Sequence, residues 1–320
     1  MMNNMELALA TVCELSAVGA SAEIGRGDKL AVDEIATSIM RQQLNLIPFK
    51  GKIAVAEGKK DEAPTFAFGE QVGAGWKHVL SSAGSPVEQY DEGDYYDLAI
   101  DPVDGTTQTS KGGNEAMSVI TVGGKNSLFS SEVFYMQKIA VGPQVCSKVE
   151  LNITDSISRT IKLVSLALSK ESSKLIVCML DRPRHADTVA YLRRLGCRVK
   201  LIQDCDVSAA IATAIPESGI DIYMGVGGVT EGVISAVSMK CMNGFFQGRL
   251  CDAKGEPVDD KVYNMTDLAK GDVMFCATGI TNGSLLKGVR YTSYGKAITN
   301  SVVMRSNNHT VRWITTEHGN

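Results

Sequence analysis

Between residues 155 and 240, short apolar runs alternate with segments of helical periodicity, and few architectures accept that rhythm. Runs at 174–180, 197–202 and 220–224 read as buried strands, and 184–195, 206–214 and 230–240 as helices. An earlier helix, capped by Asp155, puts Ile157, Ile161, Val164 and Leu168 on one face. Parallel strands need a crossover long enough to hold a helix, so this alternation implies a parallel sheet with helices on its faces. Polar residues gather after each strand: Asp181, Arg182 and Arg184, then Asp204 and Asp206, then Gly227, Gly228 and Glu231. Such a carboxyl edge is where open α/β sheets bind ligands.

The first half reads differently. A helix from Asn4 carries an apolar stripe of Ala8, Val12, Leu15 and Val18 and ends in the glycine-rich stretch 25–29. A second, from about Ala31 to near Pro48, turns Val32, Ile35, Ile39 and Met40 inward and holds Asp33 in its first turn. Residues 53–56 form a buried strand that breaks at Glu57, and residues 75–96 read as a surface excursion. A strand at 97–100 runs into Asp101-Pro102-Val103-Asp104-Gly105-Thr106, read as a turn bearing two carboxylates and a hydroxyl. Strand 117–122 follows, and composition shifts near Gly142-Pro143. Two domains are expected, a metal-binding α+β domain over 1–150 and an α/β substrate-binding domain over 151–320.

Composition narrows the function. A net charge of −4 gives no general attraction to nucleic acid, and no apolar run approaches a membrane span. Eight cysteines without a Cys-x-x-Cys pair read as reduced core thiols, and the N-terminus lacks signal-peptide features, so a cytoplasmic protein is expected. Four histidines leave little for a histidine-based metal site. Carboxylates remain: Asp33, Glu57, Asp101, Asp104 and Glu231 each lie at a strand end or helix start flanked by Gly or Pro. Oxygen-only ligands suit Mg²⁺ or Mn²⁺, the chemistry of phosphate-ester hydrolysis. Lys138, Arg182 and Arg184 would supply cations for a phosphorylated substrate, and the N–H groups of Gly227 and Gly228 an anion nest. Two rivals stay open. Gly225-x-Gly227 after a strand suggests a dinucleotide-binding protein, although Thr230 occupies the third glycine position. Lys59 beside the carboxylates suits a non-catalytic sugar-phosphate-binding protein.

Ordered blocks add to this reading. They are Gly-Arg-Gly-Asp-Lys-x-x-x-Asp (25–33), Glu-Gly-x-x-Asp-Glu-Ala-Pro (57–64), Asp-Pro-Val-Asp-Gly-Thr (101–106) and Tyr-Met-x-Lys (135–138). Arg-Pro-Arg-His (182–185), Asp-x-Asp-Val-x-Ala-Ala (204–210), Gly-x-Gly-Gly-x-x-Glu-Gly-Val (225–233) and Ala-Thr-Gly-Ile-Thr-x-Gly-x-Leu-Leu-x-Gly-Val (277–289) complete them. Together they resemble the class II fructose-1,6-bisphosphatase family of the lithium-sensitive sugar phosphatases. That resemblance implies a layered α-β-α-β-α fold, with an N-terminal mixed sheet and a C-terminal doubly wound sheet. It implies hydrolysis of the 1-phosphate of fructose 1,6-bisphosphate, with sedoheptulose 1,7-bisphosphate or dual specificity as the alternative. It implies metal ligands at Asp33, Glu57, Asp101, Asp104 and Glu231. Substrate contacts would come from Asp104, Gly105, Thr106, Tyr135 and Lys138, from Arg182, Pro183 and Arg184, and from Asp204, Asp206 and Gly228. Thr106, paired with Asp61, would orient the attacking water, with Lys29 near the reacting phosphate. The family usually carries Glu at Asp104, an acid at Lys59, Lys at Arg182, Gly at Cys205 and Pro at Thr230, and its counterpart of 76–96 is shorter. A homo-oligomer, dimer or tetramer, is expected.

Overall fold

In a computed structural model of the chain, residues 5–55, 65–76, 79–80, 86–87 and 95–319 are described. Helices α1 (Glu6–Ser21) and α2 (Lys29–Leu44) precede β1 (Lys50–Val55), the short strands β2 (Gln71–Val72), β3 (Val79–Leu80) and β4 (Pro86–Val87), and the long β5 (Tyr95–Asp104). Helix α3 (Thr106–Lys111) leads to β6 (Met117–Gly124), β7 (Tyr135–Val141), α4 (Pro143–Cys146) and α5 (Ile157–Leu168). The alternating region gives β8 (Ile176–Leu180), α6 (Ala186–Arg194), β9 (Arg198–Ile202), α7 (Asp206–Ala212), β10 (Ile222–Gly228) and α8 (Val229–Cys241). The chain finishes with β11 (Phe245–Cys251), β12 (Tyr263–Asn264), α9 (Met265–Leu268), β13 (Val273–Gly279), β14 (Arg290–Tyr291), β15 (Ala297–Arg305) and β16 (Val311–His318).

Two mixed sheets result. The first runs β14-β15-β13-β6-β5-β1-β2, with β16 on β15, and the second β12-β11-β7-β10-β8-β9. Helices α1 and α2 cover the outer face of the first sheet, α7 and α8 fill the space between the sheets, and α5 and α6 cover the far face of the second. The layering is α-β-α-β-α. In the second sheet only β10, β8 and β9 are parallel, because β7 and β11 pair antiparallel to their neighbours. β7 enters from the first sheet without a helical crossover, so the sheet is not doubly wound throughout. Nor do the sheets divide at residue 150: β7 lies in the second, while β13, β15 and β16 return to the first.

Local chemistry explains the placement of α1 and α2. The buried face of α1 is Leu9, Val12, Cys13, Ser16, Ala17 and Ala20, rotated from the expected stripe. Small residues let the helix lie close on β13 and β15. The cost of burying Glu14 is met by hydrogen bonds from Ser301 Oγ (3.1 Å) and Thr316 Oγ1 (2.8 Å). Asp28, not a residue near Ala31, caps α2 by accepting from the Ala31 N–H at 3.0 Å, so the helix begins earlier and Asp33 falls in its second turn. All eight cysteines are free; seven are buried and Cys146 is half-buried. Among the described residues, no helix is long and apolar enough to cross a membrane.

Candidate active site

The two aspartates expected in a turn belong to the end of β5. Against β6, Asp101 pairs with Val119 and Asp104 with Met117, so β5 carries one extra residue there. On a regular strand, residues three apart face opposite ways; the bulge at Pro102 and Val103 lets both carboxylates line one cleft. Asp101 Oδ1 accepts the Val103 N–H at 3.0 Å and fixes the bulge. The chain then reverses at Gly105, whose φ of +108° favours glycine. A Cβ there would also stand 2.5 Å from Cys205 Sγ.

The cleft encloses about 230 Å³ and takes walls from four further elements. Asp33 reaches it from α2, Thr106 from the start of α3, Asp204 from the loop after β9 and Glu231 from the first turn of α8. Lys29 and Gly105 also line it. Thr106 Oγ1 donates to Asp33 Oδ1 at 2.7 Å, with the Val103 carbonyl a longer second acceptor at 3.3 Å, so Asp33 is its nearest described partner. Asp61, the partner expected from the sequence, and Glu57 lie outside the described residues, as does Lys59. Gly228 is needed for another reason than an anion nest: a Cβ on it would collide with the carboxylate of Glu231. Its backbone is extended and in register with Tyr135 of β7, a geometry that does not form a nest.

Charge crowds at this point. Asp104 is 3% exposed, and its carboxyl is pushed well above the usual carboxylate range by burial, then by Asp206, Asp204 and Glu231. Asp204 is raised by burial and then by Asp206. Asp104 Oδ2 and Glu231 Oε2 are buried without a hydrogen-bond partner among the described residues. Orphaned carboxylate oxygens in a crowded acidic cleft fit hard divalent cations, which take oxygen ligands and relieve the repulsion. Among the described residues, no three acidic, His or Cys side chains already stand together as a ligand cluster.

Beyond Asp204 the second sheet contributes a polar end. Lys138, expected as an exposed phosphate contact, is fully buried instead. Its Nζ donates to Asp206 Oδ2 at 2.7 Å, and Tyr223 Oη donates to the same oxygen at 3.0 Å. On β7, Lys138 is in phase with the buried Met136 and Ala140, so alternation carries it inward. Gly227 makes room, since a Cβ there would lie 2.8 Å from Lys138 Nζ. Asp206 therefore spends one carboxylate oxygen on internal bonds. Arg182 is half-buried and bonds the Asp181 carbonyl, beside Pro183, which opens a short 3₁₀ turn. The Arg184 guanidinium stacks 5.2 Å from the Tyr135 ring centroid and donates through Nη2 to the Val226 carbonyl at 2.8 Å. Its Nε is buried with no acceptor among the described residues. Cys205 holds a left-handed conformation (φ +68°) for a non-glycine residue, and its thiol donates weakly to the Asp104 carbonyl at 3.6 Å. It thereby spaces the β5 end from the 204–206 loop.

The profile of the family described as bacterial fructose-1,6-bisphosphatase, glpX-encoded, matches residues 3–318. The chain belongs to that family. A D-fructose 1,6-bisphosphatase class 2/sedoheptulose 1,7-bisphosphatase from Synechococcus sp. (strain JA-2-3B'a(2-13)) is 37% identical, covering 99% of this chain and 96% of its own. The protein of the same name from Synechocystis sp. (strain ATCC 27184 / PCC 6803 / Kazusa) is 35% identical over the same shares. The fructose-1,6-bisphosphatase family is one of metal-dependent phosphoric monoester hydrolases. The dinucleotide reading falls away with this membership and with the packing of its glycines: Gly225 faces the His185 ring and Gly227 the Lys138–Asp206 pair.

Sequence reasoning missed three residues that shape this site. Cys205 was legible only as a departure from the family's usual Gly, whose meaning is the positive φ held here. Tyr223 read as an ordinary strand aromatic. His185 follows Arg184 within the Arg-Pro-Arg-His block, and only its burial shows that it faces protein, not substrate.

Proposed function

We propose that the chain removes the 1-phosphate of fructose 1,6-bisphosphate with Mg²⁺ or Mn²⁺ as cofactor, and that Asp33, Glu57, Asp101, Asp104 and Glu231 hold the cations. The observation that carries this reading is the pairing of buried polar atoms without a partner among the described residues: Asp104 Oδ2 and Glu231 Oε2 on the cation side, Arg184 Nε on the phosphate side. When bound, the cations supply positive charge against the reacting phosphate and acidity to a water. Thr106 orients that water. Its hydroxyl hydrogen is committed to Asp33, so its oxygen lone pairs are left to accept from the water and aim it for in-line attack. Asp61 is its proposed helper, and Lys29 on the rim neutralises phosphate oxygens. Gly105 lets the substrate approach the backbone. Arg184, with Arg182, Pro183 and Tyr135 beside it, holds the distal phosphate, and Asp204, the free oxygen of Asp206 and the Gly228 edge face the sugar hydroxyls. Lys138 acts from behind by holding Asp206.

The names of the relatives favour sedoheptulose 1,7-bisphosphate as a second substrate. Free thiols suit a reducing cytoplasm, and a homo-oligomer remains our expectation, to be read from light scattering. The test is phosphate release from the two bisphosphates and from fructose 6-phosphate in Mg²⁺ or Mn²⁺. Release of one equivalent from fructose 1,6-bisphosphate, with fructose 6-phosphate untouched, is expected. Equal attack on the monophosphate would overturn the proposed role of the distal phosphate site.

A further inference from the structure

We propose that His185 is a positioning residue for substrate binding: its imidazole ties β8 to β10 and so fixes the guanidinium of Arg184. The inference rests on the reading of Arg184 as the holder of the distal phosphate. His185 is 4% exposed, and each ring nitrogen has one partner. Nδ1 stands 2.7 Å from the Leu180 carbonyl, which can only accept, so Nδ1 carries the hydrogen. Nε2 then presents its lone pair to the Val226 N–H at 2.9 Å. A single neutral tautomer satisfies both strands.

The carbonyl of the same residue is held by Arg184, whose Nη2 donates to it. Val226 is thus gripped by His185 at its nitrogen and by Arg184 at its oxygen. Gly225 completes the arrangement: with φ +146°, it leaves space for the ring, and a Cβ there would stand 3.1 Å from Cε1. The charged side chains acting on the ring are Arg184 and Arg182, both cationic; burial, the larger effect, and these two arginines hold the imidazole below its usual range. Protonation would set an Nε2–H donor against the Val226 N–H and break the tie. Arg184 would then lose its fixed carbonyl and its place over Tyr135.

The test compares His185→Ala, His185→Gln, Arg184→Ala and the double Ala variant, with KM and kcat for fructose 1,6-bisphosphate at saturating Mg²⁺. A charge-assisted phosphate bond makes Arg184→Ala raise KM about tenfold or more. His185→Ala should raise KM by a similar factor with kcat within about twofold, and the double variant should be little worse than either. Gln can offer its carbonyl to the Val226 N–H, so His185→Gln should recover most of the loss. From about pH 7.5 to pH 5.5, the KM of the wild type should climb more steeply than that of His185→Gln, which has no proton to gain. Should His185→Ala fail to fold, the Gln variant and its pH profile still decide. A moved KM in Arg184→Ala with an unmoved KM in His185→Ala, multiplying losses in the double variant, or identical pH profiles would each overturn the inference. An unmoved KM in Arg184→Ala would instead remove the reading on which it rests.

Discussion

Replacing Lys138 by Met separates a buried counter-ion from a substrate ligand. Met matches the Lys stem in length and apolar character, so the change removes a charge while keeping the packing against Met136. The Lys138 side chain is wholly buried and that of Asp206 6% exposed. Without the ammonium, Asp206 keeps only the Tyr223 hydroxyl inside a nearly dry pocket. Breaking a buried pair in this way costs about 3–5 kcal/mol. With an unfolding entropy of about 2.1 cal/mol/K per residue, a chain of this length should lose roughly 4–7 °C in Tm. Thermal melting followed by circular dichroism measures it. Adding Asp206→Asn should restore more than half of the loss, because the stranded charge is gone. An unchanged Tm with a KM raised tenfold would refute this account and return Lys138 to the substrate.

Chelation should abolish phosphate release, with Mg²⁺ or Mn²⁺ restoring it and Zn²⁺ alone failing, because the donors are oxygens without His or Cys; full activity in excess chelator would contradict the cation site. In chelator, the raised carboxyls of Asp104 and Asp204 stabilise the fold most below their unfolded pKa and lose that contribution as pH rises through the folded one. Melting curves from about pH 4 to 8 should therefore show a smaller loss on the alkaline side in Asp104→Asn than in the wild type, and divalent cations should close the gap. Thr106→Val should lower kcat by about 10²-fold at saturating metal and substrate while Thr106→Ser keeps most of it, and a near-normal Val variant would leave Thr106 a purely structural start to α3.

Periodicity carried much of the fold. The strands and helices between 155 and 241 stand within a few residues of where apolar spacing puts them, because each is local. Their partners were not local. β7 looks from its sequence like any short strand, and nothing in Tyr135–Val141 says that it separates β10 from β11 in the second sheet. The face of α1 was misjudged for the same reason: its stripe favours Leu15 and Val18, but Glu14 finds partners on β15 and β16, nearly the whole chain away. In the site, Asp101, Asp104, Thr106 and Glu231 were legible as residue types beside Gly or Pro and Asp33 as an acid near a helix start, and the cleft gathers them. The bulge between Asp101 and Asp104 was not, since strand and turn differ there only in register. Lys138 shows the limit most clearly. Its alternation with Met136 and Ala140 was available, yet a lysine in a phosphatase sequence invites a phosphate.

β13 and β15 occupy the middle of the first sheet, between β6 and the edge, while α1 packs across them. Helix α1 therefore leaves the ribosome long before the strands it packs on. At about 5–20 residues per second, the interval from the end of α1 to the end of β15 is roughly 15 to 60 s. Until β13 is made, α1 keeps an uncovered apolar face and β6, once made, an unpaired backbone edge, the features that draw nascent chains together. Native assembly of the catalytic cleft, which hangs on β5 beside β6, is in this sense a late event of synthesis. A chain halted before Val273 lacks the centre of its sheet, not an appendage.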